Sequence, residues 1–322
     1  MKGINRWFRH PYILMLIVFF LMCVYFLGTV HSSIELNEHR HASVVYDYNY
    51  HFAVDVGDMD SNLSGEFMRG AKDSASELGL ALEIRNQNSS YNETSVDFIT
   101  WATYVHPDGV ITNQIVKPDG VKKLSQAGIP YCTVGNYPEN EEAMYVGPDN
   151  YAQGYGLAEA LAEKYGEKKL RIALMYDAED GTGPRSRLQG FIDGAKQYPQ
   201  LQVLEKRAVG PGVLRGMGVA EDIMLSFGEV NYFVCLDEVL LVSAVRGIID
   251  LNRVNCVMAS GIGYSELIEN YIDSSIVDFA VHCDGYTMGR EAVEKLYAYK
   301  QKKLQDTQMQ TLISYGIAGD AA

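Results

Sequence analysis

The sequence predicts an α/β protein of two similar lobes, each a parallel sheet with helices on both faces, behind one N-terminal transmembrane helix. Short apolar runs alternate with helical segments from residue 51 to residue 299. These runs are apolar throughout rather than at every second position, which is typical of parallel strands covered on both faces. The first 30 residues differ in composition from everything that follows them.

The amino terminus has the pattern of an uncleaved membrane anchor. Basic residues precede an uncharged apolar segment, residues 11–30. A helix needs about 20 such residues to cross the hydrocarbon core. Because the basic residues come first, the positive-inside rule places the N-terminus in the cytoplasm and the rest of this single-pass protein outside the cell membrane. We expect residues 1–30 to stay attached and residues 31–50 to form a polar tether.

The composition restricts the possible partners and cofactors. The formal net charge of −14 argues against nucleic acid, whose binding requires lysines and arginines that neutralise phosphates. The cysteines lack the paired spacing of a zinc site and are too few for a disulfide scaffold. Whether Cys235 and Cys256 are bonded to each other stays open. We expect no cofactor and no metal.

Strands and helices alternate strictly in the first half of the body. Glycine turns, at Gly79 and Gly128, end two of the helices. The predicted strands are residues 51–56, 80–85, 110–112 and 129–134, and the predicted helices are residues 65–78, 94–105 and 117–127.

The segment 146–191 is the centre of the pattern. A capped helix leads into a buried strand, residues 170–176, and a polar loop then brings Arg185 and Arg187 to the first turn of the next helix. Open α/β sheets bind ligands at the loops after their strands, where a planar guanidinium can clamp hydroxyls or carboxylates. The alternative is that both arginines are solvated residues at a helix start.

The same alternation continues in the second half, and it predicts a second Rossmann-like lobe of similar size. The predicted strands are residues 201–209, 232–236, 256–260 and 276–282, and the predicted helices are residues 212–227, 238–251, 264–272 and 286–299.

The chain contains no motif of a reaction centre. Residues 58–62 begin like an EF-hand loop, but Leu63 stands where that loop needs glycine and Arg69 where it needs glutamate. There is no GxGxxG after the first strand, no P-loop, no nucleophile elbow and no HExxH. A binding protein therefore fits better than an enzyme.

Several stretches, taken together in their order and spacing, resemble the extracytoplasmic sugar-binding proteins of the ribose-binding type. These type 1 periplasmic binding proteins share their fold with LacI-type repressors. The stretches are HFAVDVGDMDSN, HPDGVITN, GIPYCTVGN, VGPDNYAQG, RSRLQGF, YFVCLDEVLLVSAVRGI and VHCDGYTMGREAVEKL. The resemblance covers about residues 51–301. A membrane anchor stands where the repressors have a helix-turn-helix, which excludes that branch.

The resemblance implies a three-strand hinge between the lobes, with crossovers near Pro148, Cys283 and Ile313. It divides the body into lobe 1, residues 51–148 plus 284–312, and lobe 2, residues 149–283 plus 313–322.

The resemblance also implies a ligand between the lobes, with Arg185 as its main polar anchor. Asp237 is the carboxylate expected to orient this arginine or to share the ligand. The other candidate contacts are Asp58, Asp60, Asn136 and Tyr137.

Several positions depart from the family pattern. Leu63 and Ser64 replace aromatic residues, Gly135-Asn136 replaces an Asp-Arg pair, and Leu236, Gly261 and Cys283 replace Asn, Asp and Gln. Each unmet polar group of a sugar costs about 1–3 kcal/mol, so the ligand class stays open.

The sequence thus predicts a membrane-anchored protein that captures a small, sugar-like solute for an ABC permease or a membrane histidine kinase. The alternative is a cell-envelope interaction protein whose cleft no longer binds a sugar.

Overall fold

The computed structural model describes residues 48–57, 59, 61–85, 97–114, 116–137, 143–178, 182–303 and 309–319, and a few positions between 15 and 25. The chain forms two units, residues 1–48 and 49–322. In the first unit the described positions between 15 and 25 are helical and exposed. Most of the expected anchor and tether lies outside the described residues. Across the part of the chain that is described, no helix is both long and apolar enough to span a membrane.

The second unit alternates strands and helices in the order that the sequence predicts. The strands are β1 (His51–Asp55), β2 (Ala81–Ile84), β3 (Gly109–Thr112), β4 (Tyr131–Val134), β5 (Met144–Pro148), β6 (Leu170–Asp177), β7 (Leu201–Val209), β8 (Tyr232–Cys235), β9 (Met258–Ile262), β10 (Val277–Cys283), β11 (Gln310–Ile313) and β12 (Tyr315–Gly319). The helices are α1 (Ser61–Leu78), α2 (Phe98–Val105), α3 (Pro118–Gln126), α4 (Asn150–Tyr165), α5 (Thr182–Ala195), α6 (Val213–Ser226), α7 (Glu238–Asp250), α8 (Glu266–Asp273) and α9 (Gly285–Lys300).

The strands form two six-stranded sheets, one in each lobe. The first has the order β11-β5-β4-β3-β1-β2, and its neighbouring strands are parallel. The second has the order β12-β10-β9-β8-β6-β7, in which β12 is antiparallel to β10 and the other pairs are parallel. The predicted class, a two-lobed α/β protein with parallel sheets, is confirmed.

The chain passes between the sheets three times. It leaves the first sheet after Pro148, returns to it after Cys283, and leaves it again at Ser314. As a result α9 follows a strand of the second sheet in sequence but packs against α1 and the first sheet.

Each sheet has a buried core on both of its faces. In the first lobe Phe52 and Phe67 lie in one core and Phe98 in the other. In the second lobe Phe233 lies in one core and Phe191 in the other. Burial on both faces explains why the strands are apolar throughout.

Glycines allow two helix pairs to pack closely, one pair in each lobe. A Cβ at Gly70 of α1 would lie 2.0 Å from the carbonyl oxygen of Tyr286 in α9. A Cβ at Gly154 of α4 would lie 2.1 Å from the carbonyl oxygen of Arg187 in α5. The second contact matters for the site, because it fixes the helix that carries Arg187.

Some local predictions differ from the structure. Strand β5 was not predicted, although Met144, Tyr145 and Val146 are buried, and β11 and β12 were not predicted either. Strand β9 begins at Met258, because the residues before it form turns after α7. Cys235 is buried and Cys256 is exposed, and both are free thiols, so the possible bond between them is absent.

Candidate functional site

A cavity of about 430 Å³ lies between the two sheets, a size ordinary for small-molecule sites. Both lobes line it. Its lining in the first lobe includes Met59, Leu63, Glu66, Asn113, Val134, Gly135, Asn136 and Pro148. Its lining in the second lobe includes Gln153, Arg187, Asp237, Glu238, Ile262, Gly263, Tyr264, His282 and Cys283. The cavity lining therefore combines apolar residues with polar and charged residues from both lobes.

Most of these side chains follow the carboxyl end of a parallel strand, which is where open α/β sheets place their ligands. Asn113 directly follows β3, and Asn136 lies two residues after β4. In the second lobe Asp237 lies two residues after β8, and Cys283 ends β10. The topology alone brings these four residues to one cleft.

Arg187 reaches the cleft from α5. Its Nη1 donates to the backbone carbonyl of Leu236 at 3.0 Å. Burial lowers the pKa of Arg187, and the carboxylates of Asp237 and Asp177 counteract this effect. A guanidinium stays charged under such a shift. Its Nε is buried and has no hydrogen-bond partner among the described residues.

Asp237 caps α7 while it faces the cleft. Its Oδ1 accepts from the backbone N–H of Val239 at 2.8 Å, which satisfies a free donor of the first helical turn. Burial raises the pKa of Asp237, although the charge of Arg187 partly offsets the rise. The two side chains thus form a partly buried pair of opposite charge on one wall of the cleft.

Asn113 and Asn136 form the opposite polar wall. The Nδ2 of Asn136 donates to the backbone carbonyl of Asn113 at 2.7 Å. Gly135 has a φ of +75°, a conformation that glycine adopts without strain, and this turn presents Asn136 to the cleft. The side chain of Asn113 is buried, and its Oδ1 has no hydrogen-bond partner within the described ranges.

Two stacked tyrosines support this wall from behind. The rings of Tyr137 and Tyr145 lie 4.2 Å apart at an interplanar angle of 17°. The hydroxyl of Tyr145 donates to the carbonyl of Gly135 at 3.4 Å. Burial raises the pKa of both phenols, so they stay neutral. The pair holds the turn that carries Asn136.

Tyr264, His282 and Cys283 close the second-lobe side. The rings of Tyr264 and His282 lie 5.3 Å apart in a tilted arrangement. Burial, with the nearby charges of Asp284 and Glu66, raises the pKa of the Cys283 thiol to about 12. The thiol is therefore neutral at physiological pH. It offers the cleft a small apolar surface rather than a nucleophile.

The structure brings only some of the predicted ligand residues to the cleft. Asp237 and Asn136 line it. Arg185 is exposed and lies outside the lining, whereas Arg187, two residues later, enters it. Tyr137 supports the wall without lining it. Asp58 and Asp60 lie outside the described residues. The ligand-binding role of each of these residues stays a prediction.

The sequence analysis did not select several other lining residues. Asn113 and His282 could have been found, because each lies at the end of a predicted strand. Glu66 and Gln153 lie inside helices and gave no such signal. Gln153 is buried with 3% exposure, which is unusual for a glutamine. Within the described ranges, no group of histidine, cysteine or carboxylate side chains is arranged to hold a metal ion.

The two-lobed fold, with a cleft between its two sheets, is that of the periplasmic binding proteins, a class of solute-binding proteins. Residues 52–304 match the family described as the periplasmic binding protein domain, and the chain belongs to this family. No curated protein sequence matches the chain.

Solved structures share the fold at low sequence identity. GanP, a glucose-galactose binding protein from Geobacillus stearothermophilus, is 20% identical with a TM-score of 0.72, over 84% of this chain and 97% of that one. An ABC transporter periplasmic solute binding protein from Actinobacillus succinogenes, with bound D-allose, is 16% identical with a TM-score of 0.73, over 84% and 98%. The XylFII–LytSN complex is 18% identical with a TM-score of 0.68, over 84% of this chain and 97% of that one.

Proposed function

We propose that this chain is an extracytoplasmic substrate-binding protein that captures a small sugar or sugar-like solute between its lobes. The observation that carries the proposal is the convergence of polar groups from both lobes on one cavity. Arg187 and Asp237 face it from the second lobe, and Asn113 and Asn136 from the first. The apolar residues between them suit the carbon face of a pyranose.

The solutes bound by the similar structures support this solute class. GanP is a glucose-galactose binding protein, and the protein from Actinobacillus succinogenes holds D-allose. A further similar structure, an ABC transporter solute binding protein from Agrobacterium vitis, holds α-D-tagatopyranose. Hexoses therefore form the first panel of solutes to test here.

Binding would act by closing the lobes. Three short crossovers join them, at Pro148, Cys283 and Ser314, so they can serve as a hinge. A solute that contacts both polar walls binds better when the walls approach each other, and its differential affinity shifts the population toward the closed state. A partner in the membrane would detect this closure.

That partner is an ABC permease in our proposal, because two of the similar structures are ABC transporter solute binding proteins. The second candidate is a membrane histidine kinase. The XylFII–LytSN complex is the reason for this second candidate, because there a protein of this fold is in complex with another protein. Crosslinking in intact membranes, followed by mass spectrometry of the captured band, separates a permease from a kinase.

The body would stay tethered to the outer face of the cell membrane by residues 11–30, with the N-terminus in the cytoplasm. The support is the long uncharged segment behind basic residues. Mass spectrometry of protein purified from membranes should find residues 1–30 attached. An amino terminus near residue 31 would end this part of the proposal.

Thermal-shift measurements on the full chain in nanodiscs test the main proposal. A solute at 100 times its Kd should stabilise the protein by about 2.7 kcal/mol. The panel holds hexoses, pentoses, amino sugars, sugar acids and polyols. If no compound moves the transition, the proposal fails, and the interaction protein without a solute becomes the better account.

A further inference from the structure

Carboxylates outnumber permanent cations among the described residues that line the cleft. Glu66 comes from α1 of the first lobe, and Asp237 and Glu238 come from the start of α7 in the second. Among the described residues of the lining, Arg187 is the one permanent cation, and His282 is the one histidine. Acidic side chains therefore predominate among the described lining residues, in a chain whose net charge is already −14.

The positive charge of Arg187 is balanced within the protein. The charges of Asp237 and Asp177 both raise the pKa of its guanidinium, and Nη1 donates a hydrogen bond to the carbonyl of Leu236. A ligand carboxylate or phosphate that approached Arg187 would also approach these two carboxylates. Like charges held in a partly buried site repel each other strongly, because little water screens them. The cleft therefore disfavours anions.

The start of α7 does not provide an anion site either. A helix N-terminus attracts anions through its free backbone N–H groups. Here the carboxylate of Asp237 already accepts from the N–H of Val239 at 2.8 Å. The positive end of this helix is thus neutralised by a side chain of its own lobe.

The other two carboxylates, Glu66 and Glu238, lie near one turn of the cleft. A Cβ at Gly263 would lie 2.5 Å from the Cβ of Glu238, so the two residues are in contact. Burial, followed by the charges of Glu269, Asp273 and Glu66, raises the pKa of the adjacent Tyr264. Glu66 of the first lobe and Glu238 of the second therefore both lie near the Gly263–Tyr264 turn.

A separate observation points to a ligand that donates hydrogen bonds. Asn113 is 3% exposed and lines the cleft, and its Oδ1 has no partner among the described residues. A buried acceptor without a donor is costly, and a ligand N–H or O–H would remove that cost. Asn113 belongs to the first lobe, on the wall opposite Asp237.

We propose that the cleft selects a polyhydroxylated solute that carries a protonated amine, such as an amino sugar, over its neutral and acidic analogues. The ammonium group lies between Glu66 and Glu238, and a hydroxyl or N–H of the same solute donates to Asn113. An ammonium has three donors and no acceptor, which suits walls made of acceptors. This inference rests on the proposed function.

The test compares four sugars of one stereochemistry by calorimetry on the full chain in nanodiscs at pH 6. D-galactosamine carries the ammonium, D-galactose is neutral, N-acetyl-D-galactosamine has a neutral amide at the same carbon, and D-galacturonate is an anion. A matching D-glucose series repeats the comparison with the C4 epimer. D-galactosamine or D-glucosamine should bind at least about tenfold more tightly than its neutral partner, or about 1.4 kcal/mol. The acid should bind least.

Two variants locate the charge effect. Glu66→Gln should reduce the ratio of amine affinity to neutral-sugar affinity about tenfold. Glu163→Gln makes the same change in net charge on α4, at an exposed position outside the cleft lining, and should leave the ratio unchanged. An equal loss in both variants would show a general field of the protein instead of a site and would overturn the assignment of Glu66.

The possible failures can be told apart. If the neutral sugars bind at least as well as the amines, the charge selection is wrong and the proposed function stands. If no member of either series binds while the protein melts cooperatively, neither the selection nor the capture of hexose-like solutes survives.

Discussion

The Nη1 of Arg187 donates to the backbone carbonyl of Leu236 at 3.0 Å, and this bond joins α5 to the end of β8. Leu236 immediately precedes Asp237, whose charge also acts on the guanidinium. Arg187 therefore holds together two segments that line the same wall. Its removal should affect both the solute and the stability of that wall.

Arg187→Ala should weaken binding of the best sugar in the panel at least about tenfold. It should also lower the free energy of unfolding by about 1.5–3 kcal/mol. A charged hydrogen bond is lost, and the guanidinium no longer offsets the burial of the Asp237 carboxylate. Arg246→Ala, at an exposed position of α7 outside the cleft lining, is the matched control, and both quantities should change little. Calorimetry and urea denaturation measure them. A loss of binding in Arg246→Ala as large as that in Arg187→Ala would contradict the role of Arg187.

Two glycines of α1 should respond oppositely to alanine. Gly70→Ala would place its Cβ 2.0 Å from the carbonyl oxygen of Tyr286, and forcing α1 and α9 apart should cost about 1–3 kcal/mol. Gly65 has no atom within 4 Å of such a Cβ, so Gly65→Ala should stabilise the helix by about 0.5–1 kcal/mol. Urea denaturation of both variants checks the difference. Equal effects would mean that α1 and α9 pack less closely than described.

A buried polar network supports the second lobe at the strand ends remote from the cleft. The hydroxyls of Tyr165 and Tyr232 donate to Oδ2 of Asp278 at 2.6 and 2.7 Å. Tyr232→Phe should cost about 1–3 kcal/mol, because it leaves a buried acceptor less satisfied. Tyr104→Phe, at a position with 77% exposure, should cost almost nothing. Denaturation midpoints give the comparison, while sugar affinity should be unchanged in both variants.

Asp284 should make the stability of α9 depend on pH. It caps the helix by accepting from the N–H of Thr287 at 2.9 Å and from its hydroxyl at 2.7 Å. Burial alone would raise the pKa of Asp284, but the hydrogen bonds from Thr287 outweigh it, so the folded pKa lies below the usual value. The unfolded state then binds the proton more readily than the folded state. The stabilisation is present above the unfolded pKa of about 3.9 and is lost as pH falls through the folded pKa.

Asp284→Ala should therefore cost about 1 kcal/mol at pH 7, and the cost should shrink as the pH falls below about 4. Asp284→Asn keeps a capping oxygen that does not titrate, so it should remove the pH dependence and keep most of the cap. Urea denaturation between pH 3 and pH 7 measures both variants. A cost for Asp284→Ala that stays constant across this range would contradict the assignment.

Much of the architecture could be predicted from the sequence. Strands buried on both faces leave uniform apolar runs, and β7 occupies the residues predicted for it, Leu201–Val209. Helix ends could be recognised where a side chain caps the backbone, as Asp149 does for α4. The family also followed from the order of its motifs, although no single motif is specific. These signals are local in the sequence, so they can be recognised without the tertiary structure.

The remaining features depend on the direction of side chains and on pairing between distant parts of the chain. Arg185 and Arg187 share a helix, but two residues turn it by about 200°, so one side chain points away while the other enters the cleft. Strands β11 and β12 exist because they pair with β5 and β10, far away in the chain. The Oδ1 of Asn113, which has no partner among the described residues, could be recognised only in the folded cleft. Most of the elements and the family thus follow from the sequence alone. The side chains that meet across the cleft required the fold, because the direction of a side chain depends on packing that a linear pattern does not contain.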